Sequence, residues 1–121
     1  VLITGDMSFS YDVNGLSSTY LSPRFKIIVM CNGGGGIFRF IKPTSDLPEL
    51  ETCFEIHRDI SVEKYADLFG LRYFELNDEK SAAEVLSLFF AEKDRPAILA
   101  VHTPNVYNAE VLRGYFRRSR Q

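Results

Sequence analysis

Two apolar, β-branched runs constrain this chain most: "FKIIVM", residues 25–30, and "AILAVHT", residues 97–103. A strand with one solvated face alternates apolar and polar residues, whereas a near-continuous apolar run suits a strand covered on both faces, as in a parallel sheet. Two shorter runs, residues 1–4 and 71–76 ("LRYFEL"), have the same strand character. Helix-period segments lie between them. Residues 8–20 place Phe9, Val13, Leu16 and Tyr20 three and four apart. Residues 61–69 begin at an N-cap serine, Ser61, carry Lys64 where a capping box has Glu, and end before Gly70, a good residue to follow a helix. Asn77 or Asp78 caps a third helix to about residue 92, with Ala82, Val85, Leu86, Phe89 and Phe90 on one face. A last helix covers about residues 108–117. The order β-α-β-loop-α-β-α-β-α predicts an α/β fold: a parallel sheet of about four strands flanked by helices. Residues 42–60, with Pro43 and Pro48, read as an irregular surface excursion. No repeat, low-complexity tract or internal domain boundary is evident, and 121 residues suit one domain.

Composition excludes several functions. A net charge of −2 gives no electrostatic case for nucleic acid or an anionic membrane. The basic "RRSR" at 117–120 reads as a solvated helix end. No apolar run approaches the roughly 18 residues that a membrane span needs, and no signal pattern is present. Two cysteines, Cys31 and Cys53, make no disulfide framework. A cytoplasmic location follows by default. The sequence opens inside a strand without an initiator Met, which predicts a segment of a longer protein.

Ligands of open parallel sheets sit at the carboxyl ends of strands. Asp6 follows the first predicted strand and Asn32 the second, one crossover later. Four glycines, 33–36, come next. Mg²⁺ takes hard oxygens at about 2.1 Å and completes its shell with phosphate and water. A carboxylate, an amide oxygen and a glycine carbonyl fit that need, because glycines allow close backbone approach. The amides of Met7 and Ser8 open a helix, which favours phosphate. Read singly, each feature has a plainer meaning: Asp6 an N-cap, Asn-Gly-Gly a turn. The glycine run is no P-loop, since no Lys-Ser/Thr follows, and the third glycine of a dinucleotide fingerprint falls on Phe38. Joint placement at two neighbouring strand ends favours a metal and diphosphate site. His57 lies next to acids without a nucleophile at a recognisable spacing, His102 ends a strand near Thr103, Cys53 reads as structural rather than reactive, and no zinc spacing occurs.

Gly5-Asp6 followed by Asn32 resembles the thiamine-diphosphate signature Gly-Asp-Gly…Asn-Asn, with Met7 and Cys31 as departures. "GDMSFSYDVNGL" with "CNGGGGIFRFI" resembles the 2-succinyl-5-enolpyruvyl-6-hydroxy-3-cyclohexene-1-carboxylate synthase (MenD) family of menaquinone biosynthesis. Asp12, Asn14, Leu16 and the pair Ile37-Phe38 fall where that pattern has them; "SVEKYADLFGLRYFEL" and "RPAILAVHT" match more loosely. The resemblance implies that residues 1–121 are the C-terminal part of a diphosphate-binding domain. It implies Mg²⁺ ligation by Asp6, the Asn32 side chain and the Gly34 carbonyl. It implies a diphosphate lined by Gly5, Met7, Ser8 and Gly35, with Ile37 and Phe38 as a dry wall by the thiazolium and substrate. The implied reaction decarboxylates 2-oxoglutarate and adds the succinyl carbanion to isochorismate. The cofactor-activating glutamate belongs, in the family, to a pyrimidine-binding domain across the interface of a homo-oligomer, and substrate-binding arginines lie upstream of this stretch. The chain alone is therefore expected to be inactive and to carry no catalytic residue of its own. Arg39, where the family often has Ser, reads as a surface arginine rather than a substrate contact. Two other readings are an acetolactate-synthase-like enzyme or 2-oxoacid decarboxylase of the same superfamily, and a non-catalytic α/β interaction module.

Overall fold

Each apolar run becomes a strand in the computed structural model, which describes residues 1–55 and 60–119. Strands β1 (Leu2–Gly5), β2 (Lys26–Cys31), β3 (Arg72–Leu76) and β4 (Ala97–His102) form a parallel sheet in the order β1-β2-β4-β3. Between and after them run helices α1 (Asp6–Asp12), α2 (Gly36–Phe40), α3 (Val62–Phe69), α4 (Ala82–Ala91) and α5 (Asn105–Arg118). The α/β class and the all-parallel sheet stand as the sequence predicted.

The chain divides into two compact units: Val1–Cys31 with Ile60–His102, and Asn32–Asp59 with Thr103–Gln121. The first holds the sheet. Alternate residues of β4 face opposite ways. Ile98 and Ala100 pack with Ile27, Val29, Phe9 of α1 and Val62 and Ala66 of α3. Ala97 and Leu99 meet Phe89 of α4, with Ile28, Phe74, Val85 and Leu86 around it. Burying each such Ile, Leu or Phe contributes about 1.5–3 kcal/mol, which makes the continuous apolar run of a central strand the strongest single determinant of this unit.

Local signals set several boundaries as expected. The Ser61 hydroxyl accepts from the Lys64 amide at 3.3 Å, and Gly70 ends α3 at φ +69°. Asp78 accepts from the Ser81 amide at 3.0 Å, and a short 3₁₀ turn, Glu79–Ser81, leads into α4.

Four boundaries differ. The helix read over 8–20 starts at Asp6, ends at Asp12 and passes into a 3₁₀ turn, Val13–Ser17. Asn14 and Gly15 are poor helix formers and account for the break. Asp6 is not the N-cap: Gly5 holds that position, and Asp6 is the first helical residue, its Oδ1 accepting from the Met7 amide at 2.8 Å. Gly36 is helical, beginning α2, so the loop stops at Gly35. The last helix starts at Asn105, three residues before the expected 108, because Pro104 supplies an extended N-cap (φ −69°, ψ 132°) and its carbonyl accepts from the Asn108 amide at 3.0 Å.

The second unit contains α2, α5 and the segment between Ile41 and Glu55, with turns at Thr44–Asp46 and Leu50–Phe54 and a cis Lys42–Pro43 bond. This excursion is not all surface, as Leu50 and Glu55 are buried. Phe40 of α2 meets Phe116 of α5, ring centroids 6.0 Å apart. Among the described residues no helix is long and apolar enough to cross a membrane.

Candidate functional site

In the first unit, β1 and β2 run side by side and pair Gly5 with Met30, so both carboxyl ends reach the same sheet edge. Asp6 follows Gly5 directly and is only 4% exposed. Its charge is felt at the end of β2: burial, and then the Asp6 carboxylate, push the Cys31 thiol up to about 11. Met7 is half-buried and its amide bonds Asp6; Ser8 is exposed on α1. At the ends of β3 and β4, His102 Nε2 lies 3.1 Å from Glu75, whose Oε1 also accepts from the Tyr73 hydroxyl at 3.1 Å. Burial, reinforced by Glu75, holds the Tyr73 phenol above its usual range. His102 is thus a half-exposed partner of a carboxylate.

In the second unit the glycine loop has a defined shape. Gly33, Gly34 and Gly35 take φ of 83°, 84° and 68° in succession, a left-handed path that L side chains resist. Asn32 Oδ1 accepts from the Gly34 amide at 3.1 Å, closing a tight turn. A Cβ on Gly35 would stand 2.6 Å from the Phe54 carbonyl oxygen and 2.7 Å from the Glu55 Cα. A Cβ on Gly36 would stand 2.6 Å from Asn105 Oδ1 and 2.9 Å from Asn32 Nδ2. The buried Gly34 carbonyl accepts from Asn105 Nδ2 at 2.9 Å. Asn32, Gly36, Ile37, Phe40, Asn105 and Leu112 border a cavity of about 330 Å³. Ile37 is 61% exposed, and Phe38 tilts against Phe54 with centroids 5.3 Å apart.

Arg39 is not a surface arginine. Its Nε donates to Glu55 Oε1 at 2.8 Å, one Nη2 bond reaches Glu55 Oε2 at 2.6 Å, and the same nitrogen reaches Glu51 at 2.9 Å. These bonds, Glu55 first, hold the guanidinium still further above its ordinary range. Glu55, 1% exposed, needs that bidentate partner, and Arg113 Nη2 donates to the Arg39 carbonyl. Sequence reasoning missed Glu55 and Asn105. The only signal for Asn105 is its place after Pro104 at a strand-to-helix junction. His57 lies outside the described residues. Cys53 is exposed and free.

The oxygens on offer are of one chemical kind: a buried carboxylate, Asp6, in the first unit, and an amide oxygen, Asn32, with a glycine carbonyl, Gly34, in the second. Each, taken by itself, is a hard oxygen of the kind that Mg²⁺ takes. Among the described residues no three His, Cys, Asp or Glu side chains converge as a metal cluster.

No family model matches the chain. Curated proteins do. Over 116 residues, 96% of the chain, it is 48% identical to the 2-succinyl-5-enolpyruvyl-6-hydroxy-3-cyclohexene-1-carboxylate synthase of Porphyromonas gingivalis. The chain belongs to this synthase family. The synthases of the same name from Flavobacterium johnsoniae and Christiangramia forsetii are 40% and 36% identical over 97% and 95% of the chain. The chain spans about one fifth of the length of these synthases: 20%, 21% and 20% of the three.

Proposed function

We propose that residues 1–121 are the C-terminal part of the thiamine-diphosphate- and Mg²⁺-binding domain of a menaquinone-biosynthesis synthase. The whole enzyme, a cytoplasmic carboligase on this reading, decarboxylates 2-oxoglutarate and adds the succinyl unit to isochorismate. The observation that carries the reading is the match to proteins named as this synthase over almost the whole chain. The buried acid after β1 and the left-handed glycine loop after β2 supply chemistry that fits it.

In this reading Asp6 gives the metal its one charged protein ligand, and Asn32 and the Gly34 carbonyl complete the protein's share. Gly5, Met7, Ser8 and Gly35 line the diphosphate. The glycine loop favours this role because no side chain stands between its backbone and a ligand. Ile37 and Phe38 present an apolar wall that excludes water from the reacting carbon. Thiamine diphosphate, when bound, supplies the carbanion chemistry, and the protein supplies placement and charge. A pyrimidine-binding domain from a neighbouring subunit of a homo-oligomer completes the pocket.

The test is thiamine-diphosphate binding by the full-length synthase, measured calorimetrically with and without Mg²⁺. Binding is expected to require the metal, and Asp6→Ala is expected to abolish that requirement together with tight binding. Equal cofactor affinity in EDTA, or an unaltered Mg²⁺ dependence in Asp6→Ala, would remove the site from these residues.

A further inference from the structure

We infer that Asn105 is a positioning residue for the Gly34 carbonyl, and that it sets the affinity of the site for its divalent cation. The inference rests on the assignment of that carbonyl to the metal. Three glycines in a row have no side chains to anchor them, so their carbonyl directions depend on what grips the loop from outside. Asn105 grips it from 71 positions away, through a buried 2.9 Å bond from Nδ2. A carbonyl oxygen has two lone pairs, and a bond to an amide N–H leaves the second for a cation.

The placement of Asn105 is itself rigid. It is the first residue of α5, behind Pro104 with its fixed φ. The Asn108 amide bonds the Pro104 carbonyl at 3.0 Å, and Asn108 Nδ2 bonds Thr103 Oγ1 at 2.9 Å, so the start of the helix is tied twice. Gly34 O can only accept, which fixes the amide's orientation and leaves Oδ1 on the other side. That Oδ1 is buried without a hydrogen-bond partner among the described residues, in a side chain 8% exposed. Asn105 borders the same cavity as Asn32 and Gly36. A residue serving only to pack would not keep an unmet acceptor there, since burying one is costly. A donor that arrives with the ligand satisfies it.

The test uses the full-length synthase and reads Mg²⁺ affinity at saturating thiamine diphosphate, alongside thermal unfolding of the metal-free protein. Asn105→Ala removes the donor. Asn105→Asp keeps the size but sets a carboxylate oxygen against the Gly34 carbonyl. Each is expected to weaken Mg²⁺ roughly 10-fold or more, the range for residues that orient a metal's ligands. A merely structural asparagine would lower the unfolding temperature and leave Mg²⁺ affinity alone, and that result overturns the inference. Asp6→Ala is run in parallel. If it weakens the metal and the Asn105 variants do not, the site stands and the role of Asn105 falls; if Asp6→Ala has no effect either, the site assignment falls and takes this inference with it. Should both Asn105 variants fail to fold, hydrogen exchange of the wild-type protein decides. Mg²⁺ with cofactor is expected to slow exchange at both 33–36 and 105–108, and slowing at 33–36 alone overturns the proposal.

Discussion

Single glycines in this chain differ in what they must avoid, and the difference is measurable. Gly70 has φ +69° and nothing within 4 Å of the place a methyl would take, so Gly70→Ala meets only the left-handed penalty, about 1–2 kcal/mol. Gly35 has nearly the same φ, +68°, but a Cβ there runs into main-chain atoms at 2.6 and 2.7 Å. Backbone cannot swing aside as a side chain can, so overpacking adds about 1–3 kcal/mol to the same penalty. Chemical denaturation is expected to rank Gly35→Ala well below Gly70→Ala in stability; equal losses would mean that Phe54 and Glu55 are not where the structure puts them. Gly36 is a third case, helical, with the amide groups of Asn105 and Asn32 nearest to the place a methyl would take. Its substitution displaces the two side chains argued to serve the cation, so it should injure binding more than folding.

Between elements, the described residues of the second unit are joined by a buried ion pair. Glu55 follows the Leu50–Phe54 turn, and its carboxylate is met by Arg39 of α2, which α5 holds through Arg113. Removing one partner of such a pair strands a buried charge at a cost of about 3–5 kcal/mol, whereas replacing both with apolar groups can be nearly neutral. Arg39→Ala is therefore expected to destabilise strongly in urea unfolding, and Arg39→Met with Glu55→Leu to recover most of the loss. A double variant as weak as the single one would show that the pair supplies net stability rather than merely satisfying itself. The same pair shows where sequence reasoning ends. The strands, the Ser61 and Asp78 caps and Gly70 were legible because each is fixed by chemistry within a few residues. So were the acid and the glycine loop at the two strand ends. The turn of α2 at Gly36, the pairing of Arg39 with Glu55, and the reach of Asn105 to Gly34 were not, because each is decided by a partner distant in the chain. Asn14-Gly15 was an available local signal for the early end of α1, outweighed by a periodic apolar pattern that a 3₁₀ turn also satisfies.

For the whole molecule the decisive inventory is that of buried charge. Among the described residues the buried ionisable side chains are Asp6, Lys26 and Glu55. The Lys26 ammonium donates to the Glu92 carbonyl at 2.7 Å and lies over the Phe89 ring, 5.9 Å from its centroid. Glu55 is taken by Arg39. Asp6, on the reading proposed above, belongs to the metal. Among the described residues, and on that reading, each buried charge thus has an assignment and none is left to serve as an acid or base for proton transfer at a cofactor. The 121-residue chain, purified alone with thiamine diphosphate and Mg²⁺, is accordingly expected to release no CO₂ from 2-oxoglutarate above the cofactor's own background, and the full-length synthase, on the reading proposed above, is expected to release it. The measurement is CO₂ release over hours at matched protein concentration. With Asp6 given to the metal on that reading, the isolated chain should stay silent even where it binds the cofactor. Sustained turnover by the isolated chain, lost in Asp6→Ala but independent of Mg²⁺, would show instead that Asp6 is the proton-transfer group and that the metal assignment is wrong.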